Sequence, residues 1–361
     1  KPTAVAISNK KDDGSVLESD DFRYKTLRGN EGWHTDSSYM PLAAKASILS
    51  AQIVPPEGGE TEVADMRAAY DELSQKMKDK INIKSPSKIN LCLEVLGKNN
   101  NELHEIKSVA VNLDLSDDLI IEKSDTFEII SNIDLPVEDN IIYQAYEFFQ
   151  KKYGNFGAKV NLVKNIPVDS GLGGGSSNAS NFLKGICSLW GIEQDDKWLY
   201  ETGEKLGSDV NLFFTPGINL LTGTGSKSKK IDISINDAVL IFYNKDKIKN
   251  KTKLAYDLLT PDVYTDGKYC DQLIQQIKNR SLLLESIECY NVFENYINKL
   301  YPGILEIKEN LEQQTGYDLH LSGSGPSLFC LINDKEKAMK IYNTVDSRIF
   351  EKVLTFPWED K

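Results

Sequence analysis

The segment Ile166-Pro167-Val168-Asp169-Ser170-Gly171-Leu172-Gly173-Gly174-Gly175-Ser176-Ser177-Asn178 packs four glycines into residues 171–175. Its chemistry is anion binding. Glycine lets the backbone approach an anion closely and supplies the positive φ that a tight loop needs. A helix starting there offers free N–H groups and the positive end of its dipole to a phosphate. Ser176, Ser177 and Asn178 add side chains that cap a helix or reach phosphate oxygens or a metal. No Gly-Lys-Ser/Thr closes the loop, so it is not a Walker A motif, and it lacks the early βαβ setting of the dinucleotide fingerprint. Transfer of a phosphoryl group from such a cradle also needs a carboxylate near the acceptor hydroxyl and a cation near the transferred group. Asp209, in Leu206-Gly207-Ser208-Asp209-Val210-Asn211, reads on its own first as a plain helix N-cap and second as that carboxylate. Lys88 reads as a solvated lysine at a strand start or as the cation. Far upstream, Trp33-His34-Thr35-Asp36 is an H-x-D element, which supplies two of the three ligands of a 2-His-1-carboxylate iron site.

The elements that must position these residues follow from periodicity. From Lys88, Ile89, Leu91, Leu93 and Val95 alternate with Asn90, Cys92 and Glu94, which predicts a strand with Lys88 and Asn90 on its less apolar face. Further strands are expected at 107–113, 118–122, 158–163 and 238–243. Helices are expected at 67–80, 140–152, 176–190 and 197–206, and several more between 254 and 314. Residues 318–331 read as strand–turn–strand. Ala179, Phe182, Leu183, Ile186 and Leu189 share one face of the helix after the glycine loop. Pro86 disfavours helix at Ser85, so any preceding helix ends before it. The fold class is α+β, with a domain boundary near 82, a lobe boundary near 232, and no internal repeat.

The glycine loop resembles the phosphate-binding motif of the galactokinase, homoserine kinase, mevalonate kinase and phosphomevalonate kinase (GHMP) superfamily. Two further superfamily motifs stand in the expected order: Ser85-Pro86-Ser87-Lys88-Ile89-Asn90-Leu91 and Leu321-Ser322-Gly323-Ser324-Gly325-Pro326-Ser327-Leu328-Phe329. Residues 85–361 are most similar to the diphosphocytidyl-methylerythritol kinases of the non-mevalonate isoprenoid pathway. Homoserine and mevalonate kinases are the near alternatives. The resemblance implies a two-lobed kinase (83–232, ATP-binding; 233–361, C-terminal) with its active site between the lobes, using ATP and Mg²⁺. It implies Lys88 and Asp209 as the catalytic pair. Pro167, Gly171, Leu172, Gly173, Gly174, Gly175, Ser176, Ser177 and Asn178, with Asn140 and Lys164 on the adenine side, would hold the nucleotide. Asn90, His104, Thr252, Tyr256, Gly323, Ser324 and Gly325 would hold the cytidyl substrate. Leu103 replaces the aromatic residue usual before the histidine. Asp169 and Ser170 replace small residues, and Asn211 replaces a proline.

Residues 1–82 resemble an N-terminal, truncated jelly-roll-type fragment of the taurine and chlorophenoxyacetate dioxygenases. The resemblance rests on Trp33–Tyr39, Pro55–Thr61 and Ala64–Tyr70, and implies a site for Fe(II) and 2-oxoglutarate. His34 and Asp36 are its metal ligands, yet the chain has three histidines, and neither His104 nor His320 has an arginine at the family spacing. The iron site is therefore expected to be incomplete and non-catalytic, and the chain to be a fusion. A formal net charge of −12 argues against nucleic acid or an anionic membrane as partner. Five cysteines without CxxC spacing and the absence of a long apolar run favour a reducing cytoplasm. The expected partner is a small molecule.

Overall fold

The structure is a computed structural model that describes residues 15, 18, 72–233, 237–243, 251–278, 288–346 and 350–358. His34 and Asp36 lie outside the described residues. The chain divides into two compact units, Lys1–Ala64 with Lys361, and Asp65–Asp360. The second unit contains all three kinase-like motifs.

One turn of helix, α1 (Gln75–Lys78), precedes the 19-residue strand β1 (Lys80–Lys98). Its alternating apolar residues, Ile89, Leu91, Leu93 and Val95, are at most 4% exposed, and the intervening Lys88, Asn90 and Glu94 are buried too. β1 pairs antiparallel with β2 (His104–Ser124), from Lys80 opposite Glu122 to Lys98 opposite His104. The register shifts between Pro86 and Ser87 and between Asn90 and Cys92. Such shifts re-aim side chains, here on either side of Lys88 and Asn90. β2 is one strand where the sequence pattern predicts two. Polar Asp114 and Ser116–Asp118 interrupt its apolar run, and Asp114 and Leu115 bulge out of the pairing with β1, but the strand continues because long-range partners take up the charges. Asp114 accepts the amide of Phe356 at 2.9 Å, and Asp117 accepts the amides of Asn165 and Ile166 at 2.7 and 2.8 Å.

β3 (Glu128–Ser131), α2 (Ile141–Tyr153) and β4 (Gly157–Val163) come next. The glycine loop then runs into α3 (Gly174–Leu189), and α4 (Asp196–Leu206) follows it. β5 (Ile218–Thr222) and β6 (Lys227–Ile231) complete this part of the chain. The sheet order is β3-β4-β2-β1-β8, where β8 (Tyr290–Asn291) joins β1 in parallel, β5 pairs with β2, and β6 with β5. The expected apolar face of α3, Ala179, Phe182, Leu183, Ile186 and Leu189, is buried with Leu119, Ile121 and Val160 of the sheet. Gly185 lets the helix sit close, since a Cβ there would fall 2.8 Å from Ile121 Cδ1. Burying a side chain of this kind contributes roughly 1.5–3 kcal/mol, so the helix bearing the glycine loop is firmly seated.

A second, four-stranded sheet has the order β11-β7-β10-β9, from β7 (Ala238–Tyr243), β9 (His320–Leu321), β10 (Leu328–Ile332) and β11 (Glu351–Thr355). The chain first changes sheet between Ile231 and Ala238 and returns to the first sheet at β8. Helices α5 (Lys251–Asp257), α6 (Lys268–Lys278), α7 (Ile297–Leu300), α8 (Ile304–Thr315) and α9 (Lys335–Thr344) accompany it. The architecture is α+β, with two sheets in one compact unit. Among the described residues no helix is long and apolar enough to cross a membrane.

Candidate active site

The glycine loop gets its shape from the two other motifs. Gly171 has φ +86°, and a Cβ there would lie 2.9 Å from the carbonyl of Gly325 and closer still to that of Ser322. Ser322 Oγ donates to the Gly171 carbonyl at 3.2 Å, and the Ser327 amide donates to that of Ser170 at 3.2 Å. The Lys88 amide donates to the Leu172 carbonyl at 2.9 Å. Gly323 is held by Asn291, whose Nδ2 donates to the carbonyls of Leu321 and Gly323 at 2.8 and 2.9 Å. Segments far apart in sequence thus define one backbone surface.

α3 starts at Gly174, two residues before the expected Ser176. Its N-cap is Gly173 in the left-handed conformation, with no capping side chain. The first N–H groups of the helix are left for an anion. Lys164 reinforces this end. Its ammonium pairs with buried Asp117, donates to Asn178 Oδ1 at 3.0 Å, and would lie 3.0 Å from a Cβ on Gly174. Burial lowers its pKa below the usual lysine range, against the pull of Asp117. Asn178 Nδ2 in turn donates to Asp117 Oδ2 at 2.9 Å and to Ser85 Oγ at 3.0 Å. Asp117 organises this corner although nothing local in the sequence marks it; its partners lie 47 to 61 positions away.

Lys88 and Asp209 meet beside Gly173, where a Cβ would lie 3.0 Å from Lys88 Cγ. Lys88 Nζ lies 3.3 Å from Asp209 Oδ2 and donates to Asn90 Oδ1 at 2.6 Å. The lysine side chain is 4% exposed and the carboxylate 29%. Asn90 is fixed by donating to Ser108 Oγ at 2.8 Å. Asp209 occupies the N-cap position of a 3-10 turn, Val210–Phe214, yet makes no capping hydrogen bond. Its carboxylate is thus committed to Lys88 and the cleft, which distinguishes it from a plain cap. Asn211 is structural, donating from Nδ2 to the carbonyls of Tyr200 and Ser226 at 3.1 and 2.8 Å.

A single cleft of about 500 Å³ unites these groups. It is lined by Lys88, Asn90, Asn140, Lys164, Pro167, Asp209, Thr252, Tyr256, Gly323 and Ser324, and by loop residues Gly171, Gly173, Gly174, Gly175, Ser176 and Asn178. Leu172 and Ser177 support it from behind: Leu172 is in the core, and Ser177 Oγ accepts from Ser85 Oγ at 2.8 Å. Asn140 caps α2 by accepting the Ile142 amide at 3.0 Å. At the acceptor end, Thr252 Oγ1 is 3.4 Å from Ser324 Oγ. His104 stacks on Tyr256 with ring centroids 5.1 Å apart and meets Tyr264 edge-on at 6.0 Å. Burial, with help from Lys98, lowers the His104 pKa and favours the neutral imidazole. Leu103 is 56% exposed beside it. Three more charged groups line the cleft, Asp139, Asp169 and Lys251, and motif spacing assigns a role to none of them. Lys251 hides in the lysine-rich run 245–253. The arrangement can cradle a polyphosphate at a helix N-terminus and present a hydroxyl to a carboxylate–lysine pair.

Residues 140–216 match the GHMP kinases N terminal domain, and residues 273–352 match the GHMP kinases C terminal. Residues 5–101 match the taurine catabolism dioxygenase TauD, TfdA family, a match that runs on through β1. The chain is 35% identical over 264 residues to a 4-diphosphocytidyl-2-C-methyl-D-erythritol kinase of Dehalococcoides mccartyi, covering 72% of this chain and 92% of that one. It is 33% identical over 280 residues to the enzyme of the same name from Thermodesulfovibrio yellowstonii, covering 75% and 97%. In fold it resembles a crystal structure of 4-(cytidine 5'-diphospho)-2C-methyl-D-erythritol kinase, with a TM-score of 0.66 at 21% identity over 77% of this chain and 100% of that one. It also resembles a homoserine kinase from Cytophaga hutchinsonii, with a TM-score of 0.59 at 18% identity over 79% and 96%.

Proposed function

The chain belongs to the 4-diphosphocytidyl-2-C-methyl-D-erythritol kinase family, and from that premise we propose how its cleft transfers the γ-phosphoryl group of ATP to the 2-hydroxyl of that substrate. The observation that carries the mechanism is the Lys88–Asp209 pair at 3.3 Å, in one cleft with the open N-terminus of α3. The P–O bond to ADP breaks and a P–O bond to the acceptor oxygen forms. Asp209 orients the hydroxyl and takes its proton as charge leaves the oxygen. Lys88, desolvated and steadied by Asn90, pairs with Asp209 and offsets charge on the attacking oxygen. The N–H groups at the start of α3 and the Lys164 ammonium hold the polyphosphate. The side chains here include hard oxygen donors such as Ser176 Oγ, a set that fits Mg²⁺ bound together with a triphosphate. Ser176 would hold the ion, and the ion would neutralise phosphate charge. The cytidine end belongs to the His104–Tyr256–Tyr264 cluster, of which Tyr256 lines the cleft with His104 stacked on it, and an aromatic ring there suits a pyrimidine. This cluster favours a cytidyl substrate over homoserine or mevalonate, which have no ring to stack.

The place of action we infer is the cytoplasm, consistent with five free cysteines. Residues 1–82 we read as a non-catalytic remnant of a dioxygenase. The chain has three histidines, and neither His104 nor His320 has an arginine at the family spacing.

The test is ADP release with diphosphocytidyl-methylerythritol, homoserine and mevalonate as acceptors. Turnover is expected with the first alone, and comparable turnover with homoserine would refute the assignment. Stoichiometric Fe(II) binding with 2-oxoglutarate turnover would refute the reading of residues 1–82.

A further inference from the structure

Lys251, the first residue of α5, lines the same cleft as Lys88, Asp209 and the glycine loop, yet is only 7% exposed. Burying an ammonium is costly unless anions or hydrogen-bond acceptors compensate it. Its Nζ donates to the Gly325 carbonyl, one acceptor for a group with three N–H donors. The charges that face it are Asp169 and Asp209, which favour its protonated form, and Lys88, which opposes it. Asp169 belongs to the glycine loop itself, at φ +55°. That left-handed conformation is uncommon for residues with a Cβ and is best tolerated by Asn and Asp. A carboxylate set there repels an incoming triphosphate unless a cation stands opposite.

Lys251 sits at the transfer end of the cleft. Its Nζ bonds the carbonyl of Gly325, in the turn where a Cβ on Gly323 would lie 3.2 Å from Lys88 Nζ, so Lys251 and the catalytic lysine meet the same turn. The next residue, Thr252, reaches Ser324 on the acceptor side. We propose that Lys251 is a second cation of the phosphoryl-transfer site, contacting the terminal phosphate of ATP, with Asp169 as its counter-charge while the cleft is empty. On entry the phosphate replaces Asp169 as the partner of Lys251, and Lys88 and Lys251 flank the group in flight. Positive charge at that point stabilises what develops on the transferred oxygens.

The inference rests on the phosphoryl-transfer reading but not on the identity of the acceptor, and its test uses binding alone. The full-length chain and its Lys251→Met, Lys251→Arg and Asp169→Asn variants are titrated calorimetrically with ADP and with a non-hydrolysable ATP analogue. Losing one charged hydrogen bond to phosphate lowers affinity by roughly 10- to 100-fold. Lys251→Met is expected to lose that much for the ATP analogue and less than about twofold for ADP, with Lys251→Arg recovering part of the loss. Retained ADP binding also shows that the variant folds. Asp169→Asn is expected to bind the analogue several-fold more tightly, as repulsion is removed. Equal losses for ADP and analogue, or no loss for either, would overturn the proposal. Weaker analogue binding by Asp169→Asn would overturn the counter-charge role, and it keeps the proposal open to refutation if Lys251→Met does not fold. A wild-type chain that discriminates as expected but turns over no cytidyl substrate would refute the acceptor assignment and leave this inference standing.

Discussion

Replacing Asp209 by Asn and Lys88 by Met, singly and together, tests whether the pair acts as a unit. At 3.3 Å two unit charges attract by about 5 kcal/mol at an effective dielectric constant near 20, and by about 1.3 kcal/mol in bulk water. Lys88 is sealed in, but Asp209 is 29% exposed, which places the interaction between these limits. Asp209→Asn keeps the shape and removes both the proton acceptor and the charge. A positioned general base contributes roughly 10²- to 10⁴-fold, so kcat is expected to fall about 1,000-fold, near 4 kcal/mol. Lys88→Met frees Asp209 from its cation and is expected to cost a similar factor. Because each side chain works through the other, the double variant should lie within about tenfold of the worse single one. The assay is steady-state ADP release at saturating ATP, with thermal melts to verify folding. More than a tenth of wild-type kcat in Asp209→Asn would remove it as the base. Losses that multiply to about a million-fold in the double variant would show two independent contributions and refute a joint role.

Three other outcomes are expected. Tyr256→Ala should raise KM for the acceptor about tenfold or more, through lost stacking, with KM for ATP unchanged; Leu103→Tyr should lower acceptor KM by adding an aromatic wall beside His104. Gly171→Ala forces a Cβ against the Ser322 and Gly325 carbonyls at positive φ and should cost at least about 2 kcal/mol by denaturant unfolding, whereas Gly175→Ala, whose Cβ would meet Ile141 at 3.7 Å, should unfold like wild type. Burial, opposed by Asp169 and Asp209, brings the Lys251 pKa from 10.5 down to about 7. Between those values the folded chain binds fewer protons than the unfolded one, so stability rises with pH across that window and the full penalty is felt below it, at most about 5 kcal/mol. Wild type should therefore gain stability relative to Lys251→Met between pH 6 and pH 10, and a difference independent of pH would refute the assignment.

Local pattern makes some elements legible. The limits of β7 and the buried face of α3 follow from apolar spacing, and the glycine loop follows from composition. Long-range polar pairing hides others. Ser116–Asp118 looks like a break in β2, because the Asn165 and Ile166 amides and the Lys164 ammonium that satisfy Asp117 come from the far end of β4. The start of α3 lies two residues ahead of its polar candidates, since caps are usually polar side chains and this one is a left-handed glycine. Asp209 can be separated from an ordinary cap only by seeing that no capping bond forms. Lys251 carries no signal at all, because burial cannot be read from a lysine among lysines.

Asp169 and Lys251 explain one another better than either stands alone. Asp169 by itself is unfavourable twice: its φ of +55° costs of order 1 kcal/mol, and its charge opposes phosphate. Lys251 by itself is a buried ammonium with a single carbonyl acceptor. Together with Lys88 and Asp209 they set two lysines against two aspartates in one cleft, with Asp169 exposed and Lys251 buried. A triphosphate entering that set meets an ammonium already desolvated and aimed. Part of the cost of stripping water from the lysine is then met on folding instead of on binding. A solvent-exposed lysine at the same point would lose hydration at the moment of ATP binding and contribute less to the transferred group. The acidic substitution in the phosphate loop is therefore compatible with an active kinase, provided that the lysine opposite remains.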